Sequence, residues 1–267
     1  MVRGSSTRSD IWMKVRILGC SGGIGGRHQR TTSILVDHDI LIDAGTGLGD
    51  LSISELTQID HLFLTHTHLD HIACLPLMVD TVGEMRDRPL TVHATEAVID
   101  ILRTHVFNWL IWPNFCEIPS IEKPLMKFQP LGVGEPIVID GRTITALPAN
   151  HTVPAVGYWL DSSAASLVFS GDTAACLEQW AEINKIKNLR YLIYECAFPN
   201  REHALASTSK HLCPSMLAEE LKHLRHKVEL LITHLKPGQS ELTMLELEES
   251  IGEFRPRMLQ NNQVFEF

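Results

Sequence analysis

The sequence predicts an α+β chain built as a layered sandwich of β-sheets with helices outside. Three observations carry that prediction. Apolar, β-branched runs open the chain in hairpin-like succession, later runs alternate with helix-period segments, and no repeat of roughly 20 to 50 residues interrupts the order. The first strands are expected at Lys14 to Leu18 and Ser33 to Val36, separated by the glycine-rich CSGGIGG from Cys20 to Gly26. Ile40 to Ile42 follows as a strand leading into DAGTG, and His61 to Leu64 reads as another. Leu75 to Arg86 is expected as helix, Leu90 to His93 as strand and Glu96 to Phe107 as helix.

Ile137 to Ala146 contains Ile-Val-Ile and Thr-Ile-Thr-Ala around Asp140-Gly141, the pattern of an antiparallel pair joined by a tight turn. Further strands are expected at Gly157 to Leu160, Ser166 to Phe169, Arg190 to Tyr194 and Val228 to Ile232. Helices fit between the later ones, Thr173 to Ile186 and Pro214 to His226. The second has proline at its first turn and Met216, Leu217, Leu221 and Leu224 at helical spacing.

The 267 residues suffice for one large domain with a substantial core. The reading is a flexible leader over residues 1–12 and one catalytic domain over residues 13–267. A hydrophobic fraction of 44% with 21% charged residues excludes disorder. The formal charge of −9, from 23 Lys plus Arg against 32 Asp plus Glu, disfavours long nucleic acids as partners. A small anionic substrate stays compatible, because bound divalent cations reverse the sign locally. The six cysteines form no CxxC pair and read as reduced thiols. With no signal-peptide run and no apolar stretch near the roughly 18 residues of a membrane span, the expected location is the cytoplasm, away from any membrane.

The sharpest local signal is His66-Thr67-His68-Leu69-Asp70-His71, directly after the strand-like HLFLT. A loop there could aim His66 and His68 at one cation and Asp70 and His71 at another, and these donors suit zinc and neighbouring divalent metals. A histidine-rich surface turn would look similar in isolation. The other donors remove that reading, since TITALPAN ends in His151, SLVFSG in Asp172 and VELLIT in His234. Each sits just past an expected strand, where a sheet gathers its loops on one edge. Asp43, in LIDAGTG after a strand, reads either as a carboxylate that orients a ligand from behind or as part of a turn-forming Asp-Gly cluster.

THTHLDH with the later His, SGD and His elements resembles the metallo-β-lactamase superfamily, in order and context, from Met13 onward. The resemblance implies a four-layer αββα sandwich with two divalent metal ions. It assigns His66, His68 and His151 to the first ion, Asp70, His71 and His234 to the second, and Asp172 as the bridge. Zinc is the default, although manganese or iron would use the same ligands. The motif fixes hydrolysis, and a phosphodiester, a thioester or a lactam all remain open as substrates.

Further segments resemble the class II cyclic-nucleotide phosphodiesterase branch: THTHLDHIACLPLMVD, HVFNWLIWPNF from His105 to Phe115, ECAFPN and KHLCP. Cys74 departs from the small glycine expected there. By that resemblance a metal-bridging hydroxide opens a 3′,5′-cyclic nucleotide to the 5′-monophosphate. His211, held by Glu195, protonates the leaving oxygen, and Asp70 completes the catalytic set. Trp109, Trp112 and Phe115 offer flat surfaces for a base, although core or dimer packing is the commoner fate of such residues, and Asn150 is expected to face substrate. A homodimer is common among relatives. A tRNA 3′-processing endonuclease shares the Glu and His pair, but only 20 residues separate His151 from Asp172, little room for a tRNA-gripping arm. A glyoxalase-II-like thioesterase and a non-catalytic metal scaffold are the remaining alternatives.

Overall fold

The computed structural model describes residues 12–26 and 28–267. Apart from Trp12, the expected leader lies outside the described residues. Two seven-stranded sheets face each other. The first runs in the order Val264–Glu266, Lys14–Gly19, Ser33–Val36, Ile40–Ile42, His61–Phe63, Leu90–Ala94, Met126–Pro130. Its last four strands are mutually parallel. The second sheet runs Arg257–Met258, Glu229–Thr233, Leu189–Glu195, Ser166–Phe169, Val156–Asp161, Arg142–Pro148, Pro136–Ile139, and its first four strands are parallel.

Ser33–Val36 and Ile40–Ile42 are buried on both faces, as strands between two apolar layers must be. Between the sheets, Val15, Ile34, Ile42 and Phe63 pack with Ile144, Tyr158, Phe169 and Ile193. On the outer face of the first sheet, Leu41, Leu62 and Val92 meet Leu75 and Val79 of helix Cys74–Val82 and Val98 and Leu102 of helix Glu96–His105. On the outer face of the second, Val168, Leu192 and Ile232 are covered by Trp180, Leu217 and Leu247 from helices Leu177–Ile183, Pro214–Leu221 and Ser240–Ile251. The layers are therefore helix, sheet, sheet, helix, as the sequence implied.

Parallel order places the ends of Ile40–Ile42, His61–Phe63, Ser166–Phe169, Leu189–Glu195 and Glu229–Thr233 on one rim. The sheets are pinned there by cross-connections. Tyr158 Oη donates to the Leu64 carbonyl at 2.7 Å, the Val156 amide to Thr65 at 3.0 Å, and the His234 amide to Cys20 at 2.8 Å.

All four expected helices are shorter than their sequence pattern, the last two most of all. Residues 173–176 do not join helix Leu177–Ile183, because their amides go elsewhere: Thr173 N–H to Glu195, Ala174 N–H to the Asn150 carbonyl and Cys176 N–H to Glu220. Pro214–Leu221 stops before Lys222 and continues as turns to Leu224. The six cysteines are free, and no helix among the described residues is long and apolar enough to cross a membrane.

Candidate metal centre

The strand His61–Phe63 ends three residues before His66, and a one-turn helix, Leu69–Ile72, begins right after His68. That kink points His66, His68, Asp70 and His71 to one side of the rim. From the second sheet, His151 follows Arg142–Pro148, Asp172 follows Ser166–Phe169 and His234 follows Glu229–Thr233. Asp43 and His234 both adopt left-handed backbone, φ 56° and 63°, a conformation that costs an ordinary residue about 1–2 kcal/mol and clusters at functional sites.

These side chains meet in two groups that share one carboxylate. His66, His68, His151 and Asp172 offer ligand atoms within 4.8 Å of one another, and so do Asp70, His71, Asp172 and His234. Asp172 lies 3.6 Å from His66 Nε2, 3.3 Å from His71 Nε2 and 3.2 Å from His234 Nδ1. His66 Nε2, His71 Nε2 and His234 Nδ1 are fully buried and lack any hydrogen-bond partner. A buried polar atom left unpaired costs about 1–3 kcal/mol, and three converging on one carboxylate fit electron-pair donation to cations. Burial drives His66 and His234 well below the ordinary imidazole range, leaving neutral rings, whereas at His71 the carboxylates of Asp172 and Asp43 outweigh burial and hold the ring well above that range unless a cation takes the proton's place. Burial opposes a charge on Asp172, but the surrounding His234, His71 and His66 outweigh it and hold the carboxyl well below its usual range.

A further shell orients these donors. Asp43, wholly buried, accepts from His71 Nδ1 at 2.7 Å and from the Thr65 amide and hydroxyl at 2.8 Å each. Thr65 Oγ1 also lies 3.0 Å from His66 Nδ1. Lys210, at φ 53°, holds His151 twice: its carbonyl is 3.0 Å from His151 Nδ1, and its Nζ donates to the His151 carbonyl at 3.0 Å. Thr65 and Lys210 escaped the sequence reading, because a threonine ending a strand and a lysine between helices carry no distinguishing pattern.

Glu195 and His211 form a buried pair, with His211 Nδ1 2.8 Å from Glu195 Oε1. Glu195 also accepts from the Thr173 amide at 3.0 Å and the Leu212 amide at 3.3 Å. The His211 ring stacks on His234 at 5.0 Å between centroids and meets His151 edge-on at 4.9 Å, so it flanks both groups. Burial lifts the Glu195 carboxyl above its ordinary range. Burial works against a charge on His211, but Glu195 and Asp172 outweigh it and raise the ring above its ordinary value.

The aromatic segment is elsewhere. Phe115 is 3% exposed and packs in the core with Phe107 at 6.0 Å. Its carbonyl accepts from Leu125 N–H, and the Leu125 carbonyl accepts from Leu90, the first residue of a strand whose other end lies on the site rim. Phe115 therefore sits at the far end of the sheet from the His/Asp groups. Trp112 packs half-buried beside that core, and Trp109 is 59% exposed, its amide donating to the Trp112 carbonyl. Within this chain the three rings therefore stand away from the His/Asp donors: the helix Glu96–His105 carries the chain back from the rim before they occur. Asn150 does stand at the rim, its side chain donating to the Ala175 carbonyl and accepting from Lys210 Nζ. A cleft of about 1490 Å³ also lies at the far end, where Asp37, Asp39 and Asp60 already pair with Arg142 and Arg86. The chemistry belongs to the rim and its buried donors.

The two sheets, the outer helices and the rim of His and Asp donors are those of a metallo-β-lactamase-fold, metal-dependent hydrolase. The chain belongs to the family described as the beta-lactamase superfamily domain, whose model matches residues 38–235. It is similar to a probable 3′,5′-cyclic-nucleotide phosphodiesterase of Yersinia pestis, 26% identical across 87% of this chain and 81% of that protein. A ribonuclease Z of Clostridium beijerinckii is 30% identical, over 54% of this chain and 47% of its own length. Among solved structures, unliganded yeast PDE1 matches with a TM-score of 0.79 over 95% of this chain and 99% of that one, at 19% identity, a likeness of fold.

Proposed function

We propose that the protein is a phosphodiesterase that opens a 3′,5′-cyclic nucleotide to the 5′-monophosphate. The observation that carries phosphodiester cleavage is the buried Glu195–His211 pair, whose ring stacks on His234 and meets His151 edge-on, and the likeness to a probable cyclic-nucleotide phosphodiesterase over most of both chains favours a cyclic nucleotide. In this reading His66, His68 and His151 hold one divalent ion, Asp70, His71 and His234 the other, and Asp172 both, with zinc the first candidate. Two such ions supply Lewis acidity at the phosphoryl oxygens and make water acidic near neutral pH. The chain's own part is orientation and proton supply. Glu195 fixes the His211 ring through Nδ1, so that the opposite nitrogen, Nε2, can pass its proton to the departing 3′ oxygen.

A small substrate is supported by what joins His151 to Asp172: two paired strands, Val156–Asp161 and Ser166–Phe169, with a four-residue turn at 162–165 and no projecting arm. A ribonuclease Z activity is the second reading, favoured by the 30% identity over half the chain. A panel of cyclic AMP, cyclic GMP, bis-p-nitrophenyl phosphate, a thioester and a pre-tRNA separates these. His211→Ala is expected to retain both metals by elemental analysis and to lose turnover of the cyclic nucleotide by roughly 10²–10⁴-fold. Unchanged turnover removes His211 from the mechanism, and cleavage of pre-tRNA alone moves the protein to the second reading.

A further inference from the structure

We propose that Lys236 is a substrate-binding residue that takes the anionic oxygen of the phosphodiester on the His234 flank of the centre; this rests on the phosphodiesterase reading above. Lys236 stands two residues past His234 at the end of Glu229–Thr233. Its place is fixed by the main chain, since its amide donates to the Ala197 carbonyl at 3.0 Å. Its Nζ donates to the Gly22 carbonyl at 2.8 Å, lies 3.4 Å from His234 Nε2, and sits 5.6 Å over the Phe198 ring. Phe198 in turn meets His211 edge-on at 5.8 Å, so the ammonium shares a flank with the proposed proton donor.

None of these partners is an anion. Among the described residues, no Asp or Glu oxygen forms an ion pair with Lys236, while the neighbouring acids Asp70 and Asp172 are engaged by histidines. An ammonium carries three donors, and here one goes to a carbonyl at normal length, while His234 Nε2 at 3.4 Å carries the ring's own proton once Nδ1 is the electron-pair donor and so accepts nothing. The aromatic face holds the charge without neutralising it. A half-buried cation beside a group of cation ligands is favourable once an anion bridges them, and a phosphodiester oxygen has the charge and the acceptor geometry for that place. On the opposite flank, the Lys210 ammonium already makes two hydrogen bonds of normal length, to Asn150 Oδ1 and to the His151 carbonyl, one more than Lys236 makes. Lys236 thus keeps its charge and donor capacity unneutralised beside His234, and it would favour a charged phosphodiester over a neutral thioester in a chain of net charge −9.

The test compares the metal-loaded full chain with Lys236→Gln and Lys236→Arg. Hydrolysis of cyclic AMP and bis-p-nitrophenyl phosphate gives KM and kcat, titration calorimetry with inorganic phosphate gives affinity, and elemental analysis gives metal content. Lys236→Gln is expected to keep its metals, to raise KM by roughly ten- to a hundredfold and to weaken phosphate binding by a similar factor, as for loss of a charged hydrogen bond. Lys236→Arg is expected to recover much of both. Equal KM and equal phosphate affinity in wild type and Lys236→Gln overturn the proposal. So does loss of metal in Lys236→Gln, which would make the lysine a brace for His234. If the wild type cleaves no phosphodiester, the phosphodiesterase reading fails by itself, and the phosphate titration still decides for or against Lys236.

Discussion

Glu195→Gln separates the charge of the buried pair from its shape. The carboxylate accepts three hydrogen bonds, from His211 Nδ1 at 2.8 Å, Thr173 N–H at 3.0 Å and Leu212 N–H at 3.3 Å. Glutamine offers one acceptor oxygen and an NH₂, yet every neighbour is a donor. Its oxygen can keep His211 and Thr173, and its NH₂ must then face the Leu212 amide unpaired. Weakening a charge-assisted bond and stranding a buried donor each cost about 1–3 kcal/mol, and removal of a buried charge offsets part of that. A net loss of roughly 2–3 kcal/mol corresponds to a fall in Tm of about 5–10 °C in a domain of this size. His211 also loses the anion that holds its Nδ1–H, so kcat should drop by roughly 10²-fold or more. Thermal melts, elemental analysis and bis-p-nitrophenyl phosphate kinetics on the same preparation read all three quantities. A fully metallated Glu195→Gln protein with wild-type Tm and kcat would refute this account of the pair.

Gly22→Ala should lower metal content at the His234 side and destabilise the protein by about 1–3 kcal/mol, because a Cβ there collides with the His234 carbonyl and ring; elemental analysis and melting check it. Acid should weaken the fold through His93, which burial and the nearby His61 push down to about 4. The unfolded ring protonates near pH 6.5 and the folded one does not until about 4, so stability is kept above 6.5 and lost as pH falls through that window. The loss approaches roughly 3 kcal/mol, and His93→Phe should flatten urea-unfolding curves taken across it. Trp109→Ala should leave KM for cyclic AMP where it was, since the ring lies beyond the helix that leads away from the rim; a KM rise of tenfold or more would return that segment to the substrate pocket.

Much of the architecture was legible because the strands are short apolar runs punctuated by glycine and proline. Ser33–Val36, Ile40–Ile42 and Ser166–Phe169 fall where the pattern places them. Met126–Pro130 was missed, its MKFQP being polar on the exposed face and closed by proline. The edge strands Arg257–Met258 and Val264–Glu266 are two and three residues long, too short for any periodicity to register. Helix Ser240–Ile251 was passed over because its many glutamates mask a thin apolar stripe of Thr243, Leu247 and Ile251. The donors themselves were readable from their place after strands, whereas their supports were not. Lys210 acts through a carbonyl and a left-handed turn, which no residue type announces, and the aromatic run was ambiguous because stacking surfaces and core filler have the same composition.

Tyr158 belongs to one sheet and donates to the Leu64 carbonyl of the other, two residues before His66. That hydroxyl works as a registration pin. The histidine motif is delivered by one half of the sandwich, and His151, Asp172 and His234 by the other. Slippage between the halves by one residue, about 3.3 Å along a strand, would part the two sets of donors without altering any of them. The span of the centre is consequently written in the aromatic and aliphatic packing beneath it, and a tailored cavity or bulge around Phe63 and Tyr158 would retune metal spacing from below, with every ligand left untouched.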